Sequence, residues 1–124
     1  MTFLLVAIHS GPYNVLKSLE NDLGTDKVTY LVAAEIAEQE KESTSVHFNL
    51  VEVERHWGSL ERFVAGINPT AVIRGCSDAI ESVVNIESKV AQICLTQDIP
   101  VFAIEDFPGN YWPTQDERLD GLFV

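Results

Sequence analysis

Residues 3–8, Phe-Leu-Leu-Val-Ala-Ile, are apolar without a break. A strand with one wet face alternates apolar and polar residues. An unbroken run therefore fits a strand buried on both faces. Such strands belong to parallel sheets, whose crossover helices cover the two faces. The rest of the chain must then supply helices between further strands.

It does so in order. Ser10 or Gly11 can cap a helix, and Pro12 suits its first turn. Val15, Leu16, Leu19 and Leu23 recur at helical spacing, and Gly24 closes the pattern. Residues 28–33 are a second apolar run. Residues 34–43 are rich in Ala, Glu, Gln and Lys, which predicts a helix. Its thin apolar face puts it at the surface. Apolar residues near alternate positions over 46–53 predict a third strand, at an edge. Leu60, Phe63, Val64 and Ile67 mark a helix that Asn68-Pro69 ends. Ala71-Val72-Ile73 opens a fourth strand that stops at Arg74-Gly75-Cys76-Ser77-Asp78. Ile86, Val90, Ile93, Cys94 and Leu95 line one face of the next helix. Residues 100–104 predict strand five, and 119–124 strand six.

This alternation predicts an α/β, three-layer Rossmann-like (flavodoxin-like) domain with a mostly parallel sheet of five or six strands. The expected order is 3-2-1-4-5, with strand six beside strand five. In that order the chain reverses direction between strands 1 and 4. Ligands of open α/β sheets bind there, outside the carboxyl ends of the strands. The walls of that crevice are expected to be His9, Ser10 and Gly11 on one side and Gly75, Cys76, Ser77 and Asp78 on the other. The loop after strand five, residues 105–112, lies next door. A sixth strand with no helix behind it leaves a bare edge. This predicts that residues 1–124 are a fragment of a longer protein.

Composition narrows the partners. The 124 residues carry 19 acids and 8 bases, a formal net charge of −11. Such a field repels phosphate backbones, so nucleic acid is not expected as a partner. No apolar stretch reaches the ~18 residues that cross a bilayer. The start, Met-Thr-Phe-Leu-Leu-Val, lacks the basic segment of a signal peptide. A cytoplasmic location, away from membranes, is the expectation. Cys76 and Cys94 lack CxxC spacing, and His9, His47 and His56 are scattered, so no metal site is expected.

The motifs point to a site without fixing a reaction. "HSGPYN" has one glycine where a dinucleotide fingerprint has three, and it lacks the GK[ST] of a P-loop. No bound cofactor is therefore expected. What that turn offers is backbone amides at a helix N-terminus. In "RGCSDAIES", Gly75 allows close backbone approach. Ser77 and Asp78 serve equally as helix caps or as ligand contacts. Cys94 sits on an apolar helical face and is expected in the core. "EDFPGNYW" sets two carboxylates beside aromatic rings. Neighbours at a strand end point to opposite sides. Only one of Glu105 and Asp106 can face the crevice, and they are not a dyad. Asn110 and Tyr111 are hydrogen-bonding groups in a loop that could equally pack back on the sheet. Glu35 follows strand two, where an acid can hold a ribose hydroxyl, but with no glycine fingerprint it reads as solvated.

The stretches "TAVIRGCSD" and "NIESKVAQICLTQDIPVFAIEDFPGNYW" together resemble GT-B-type glycosyltransferase-like proteins and their UDP-GlcNAc 2-epimerase-like relatives. The resemblance spans residues 69–112; the first 68 agree only in the order of elements. It implies an N-terminal Rossmann-like domain that shares a cleft with a second domain, so that this chain alone is inactive. Gly75, Cys76 and Ser77 would line the cleft as a turn. Asp106, Asn110 and Tyr111 would line it as a loop, with a carboxylate there as base. The ligand implied is a nucleotide sugar. Many sequences of this pattern have Thr at the place of Cys76, which argues against thiol chemistry.

A stand-alone flavodoxin-like module that binds a small ligand or regulates is the competing expectation. Ile8-His9-Ser10 lacks the acidic pair of a phosphoryl-accepting receiver, and "HSGPYN" is poor for a flavin phosphate. A third expectation is homodimerisation, through the strand at 119–124 or through an exposed interdomain face.

Overall fold

The computed structural model describes residues 1–7, 10–32, 36, 46–49, 57–75, 86–104 and 121–123. Six parallel strands form one sheet: β1 (Phe3–Ala7), β2 (Val28–Val32), β3 (Val46–Asn49), β4 (Ala71–Gly75), β5 (Val101–Ile104) and β6 (Gly121–Phe123). Their order is β3-β2-β1-β4-β5-β6. β1 lies between β2 and β4, with Leu4 opposite Thr29 on one side and Val72 on the other. The α/β class and the parallel sheet are those expected from the alternation of elements.

The unbroken apolar runs are explained by two cores. Side chains alternate across a strand, so β1 sends Leu4 and Val6 to one face and Leu5 and Ala7 to the other. On the first face they join Leu60 and Val64 of α3 (Trp57–Ile67) and Val90, Ala91, Ile93 and Cys94 of α4 (Ile86–Thr96). On the second they join Tyr13 and Leu16 of α1 (Ser10–Ser18), together with Ile36. The result is three layers, with β2, β1, β4 and β5 buried almost throughout.

The first helical pattern is not one helix. α1 stops at Ser18, and a separate short turn, α2 (Glu20–Leu23), follows. The Leu19 amide donates to the Leu16 carbonyl at 3.0 Å, a contracted turn, and Ser18 Oγ donates to the Val15 carbonyl. A side-chain hydroxyl competing for helix carbonyls is a known local disruption. Gly24 does end the pattern, at φ 101. β4 takes in Arg74 and Gly75, ending within the stretch where the fourth strand was expected to stop. Of the helix expected over 34–43, only Ile36 is described; it is helical and buried. Positions 50–53 of the expected third strand lie outside the described residues.

α4 ends in a hydrogen-bonded cap. Asp98, at φ 56, donates its amide to the Leu95 carbonyl at 3.3 Å. The Ile99 amide reaches the Cys94 carbonyl at 2.9 Å. Both bonds satisfy carbonyls the helix leaves open, as in a Schellman motif, and Ile99 shares a core with Cys94.

Cys94 is a core residue, as its helical face predicted. Burial pushes its thiol from the ordinary 9.0 up to about 12, because the apolar surroundings disfavour the thiolate. The thiolate is the reactive form. Cys94 is therefore expected to resist iodoacetamide at pH 8 in the native protein and to react once the chain unfolds; mass spectrometry of labelled tryptic peptides distinguishes the two states. The sign of the linkage is also set. Above about pH 9 the unfolded thiol ionises while the folded one stays protonated, so stability falls from there toward pH 12.

Candidate functional site

The crossover helices leave the sheet on opposite sides. α1, which follows β1, packs on one face, and α4, which follows β4, packs on the other. The carboxyl ends of β1 and β4 are adjacent, with Val6 in register with Arg74. A crevice between such strand ends is the usual ligand site of an open α/β sheet.

Three elements converge there on Gly75. A Cβ built on Gly75 would stand 2.5 Å from Pro12 Cβ, 2.8 Å from Glu87 Oε2 and 3.4 Å from the Val6 carbonyl oxygen. Among the described glycines only Gly24 has a positive φ, so Gly75 serves close approach rather than an unusual backbone. Gly11 and Pro12 form the first turn of α1 beside it. No acidic residue occupies that turn. Its open amides and the positive end of the helix dipole face the crevice side of the sheet. One contact packs α1 against β2, and a second ties α2 to the same strand. The rings of Tyr13 and Tyr30 lie 5.4 Å apart and tilted, and Tyr30 Oη donates to Glu20 Oε1 at 2.9 Å.

The polar groups at the β4 end were not anticipated as buried. Arg74 is 1 % exposed, Glu87 0 % and Ser88 2 %. Arg74 Nη2 donates to Ser88 Oγ at 3.3 Å. Arg74 is the fourth residue of β4, at the strand end expected there, and points into the layer that α4 covers. Glu87 lies in the first turn of α4, where a carboxylate complements the helix dipole. One signal for its burial was present. Residues 87, 90, 91 and 94 form an i, i+3, i+4, i+7 series, so Glu87 sits on the apolar stripe.

Of the expected site residues, Gly75 is the last residue of β4, and Ser10 and Gly11 are the first two residues of α1. Cys76, Ser77, Asp78, Glu105, Asp106, Asn110 and Tyr111 lie outside the described residues, as do His9 and Glu35. Among the described residues no cluster of three or more His, Cys, Asp or Glu could hold a metal ion. Among them, too, no helix is long and apolar enough to cross a membrane.

Parallel strands, crossover helices on opposite faces and a reversal of strand order define a Rossmann-like α/β domain. Comparison with known proteins adds a likeness of fold. The chain superposes on the crystal structure of MurG from Acinetobacter baumannii with a TM-score of 0.61, at 10 % identity. The match covers 85 % of this chain and 35 % of MurG, a GT-B glycosyltransferase. At that identity the likeness concerns the GT-B-like fold alone. No protein-family description and no curated protein sequence matches the chain.

Proposed function

We propose that this chain forms the N-terminal domain of a GT-B-like sugar-nucleotide enzyme that transfers or epimerises a sugar. The observation that carries the reading is the GT-B-like fold over 85 % of the chain. The motif resemblance of residues 69–112 supports it independently of the fold. In this reading the crevice at Gly11 and Gly75 is one wall of an interdomain cleft. Ser10, Gly11, Cys76, Ser77, Asp78, Asn110 and Tyr111 contact the ligand. One carboxylate of Glu105 and Asp106 acts as base. In a transfer it takes the proton of the acceptor hydroxyl. The acceptor oxygen bonds to the anomeric carbon, and the nucleoside diphosphate leaves with the bonding pair. The acidic field of the chain (−11) disfavours diphosphate on this wall, so the second domain would carry most of the nucleotide contact.

The test uses the polypeptide made from the whole gene. UDP-N-acetylglucosamine is titrated into it by calorimetry, and UDP release is assayed. Binding and turnover are expected, with a loss of about 10²-fold or more in rate for D106N or E105Q, whichever faces the cleft. A whole-gene product of about the present size that binds no nucleotide sugar would favour the stand-alone module instead.

A further inference from the structure

We propose that Arg74, Glu87 and Ser88 are positioning residues, which set how closely the first turn of α1 stands to the end of β4. This rests on the reading of that crevice as the ligand-bearing edge. Three observations carry it. The first is cost. Burying a guanidinium and a carboxyl removes both from water, and apolar residues of like volume often stabilise as well. Both groups are nevertheless buried here, Arg74 at 1 % and Glu87 at 0 % exposure.

The second is place. The group is not spread through the core; it sits at the carboxyl end of β4, beside the reversal of strand order. Buried titratable groups at such a crevice are candidates for function on physical grounds.

The third is fit. Position 75 has no side chain, and the space a Cβ would need is filled by Glu87 Oε2 and Pro12 Cβ. Glu87 thus reaches from α4, over the strand end, toward the helix on the opposite face. Arg74 Nη2 and Ser88 Oγ tie the same turn of α4 to the same strand. A change at Glu87 or Arg74 moves the two walls of the crevice relative to one another.

The test is the whole-gene protein carrying R74M/E87L, which removes both charges and keeps bulk. Three quantities are read: the melting temperature, the amide NMR signals of Gly11 and Gly75, and the affinity for UDP-N-acetylglucosamine. The expected result is an unchanged or raised melting temperature, displaced Gly11 and Gly75 signals, and affinity lower by about tenfold or more. A fall in melting temperature with the Gly11 and Gly75 signals in place would mean that the cluster is structural, and the proposal fails. E87A, which removes the carboxyl that fills the space beside Gly75, is the second variant should the first not fold. It is expected to displace the same two signals, and unmoved signals overturn the proposal. A wild-type protein that does not bind the nucleotide sugar counts against the proposed function, while the amide signals still decide the positioning role.

Discussion

Gly75→Ala is expected to destabilise the domain by about 3 kcal/mol, through overpacking. For a chain of this size that lowers the melting temperature by roughly 10 °C. The methyl group would meet Pro12 Cβ at 2.5 Å, a separation at which something must move. Pro12 is held in a ring at the start of a helix, so it cannot swing aside as a long side chain could. Glu87, the second contact at 2.8 Å, is itself buried. The remaining response is a shift of α1 away from β4, which loosens the packing of Tyr13 and Leu16. Gly66 is the control. It lies in the exposed part of α3, and a Cβ there meets nothing within 4 Å. Gly66→Ala is expected to stabilise by about 0.5–1 kcal/mol, from helix propensity alone. Opposite shifts from the same chemical change, followed by thermal melts, would establish the convergence at Gly75. A neutral Gly75→Ala would mean that α1 does not press on β4 as described.

Leu4→Ala is expected to cost about 3–4 kcal/mol, a large share of the 5–15 kcal/mol typical of a domain. Leu4 is fully buried in the central strand, with neighbours in register on both sides. It belongs to the core that α3 and α4 cover. Both flanking strands are themselves buried, so the site cannot collapse around the smaller residue, and a cavity remains. The urea midpoint should fall with the m-value unchanged, since the folded and unfolded surfaces are nearly the same. A loss below about 1 kcal/mol would mean that the strand face is less tightly packed than its burial implies.

Much of the fold was legible because parallel sheets leave a strong local signature. The run at residues 3–8 can be solvated on neither face, and that alone demanded helices on both. Leu60, Phe63, Val64 and Ile67 declared α3 by spacing. Local chemistry that competes with a helix was harder to read, and the break at Leu19 shows why. Leucines at 16, 19 and 23 keep helical spacing whether or not the backbone between them contracts, and the Ser18 hydroxyl adds no period of its own. The reversal of strand order was legible from the alternation of elements, and the close approach at position 75 from its glycine. The buried charges were legible only in part. Arg74 stands at a strand end, where a charge is ordinarily solvated, whereas Glu87 keeps the helical spacing of the apolar stripe.

By itself, then, the sequence determined the class of fold and the two faces of the sheet. These follow from hydrophobic period and chain connectivity, which are properties of neighbours along the chain. Only the tertiary structure decided that Arg74 and Ser88 are buried and that Glu87 and Pro12 close on Gly75. The physical reason is that burial of a polar side chain depends on what covers it. Here the cover comes from three elements that are far apart in sequence and adjacent only once the sheet has formed.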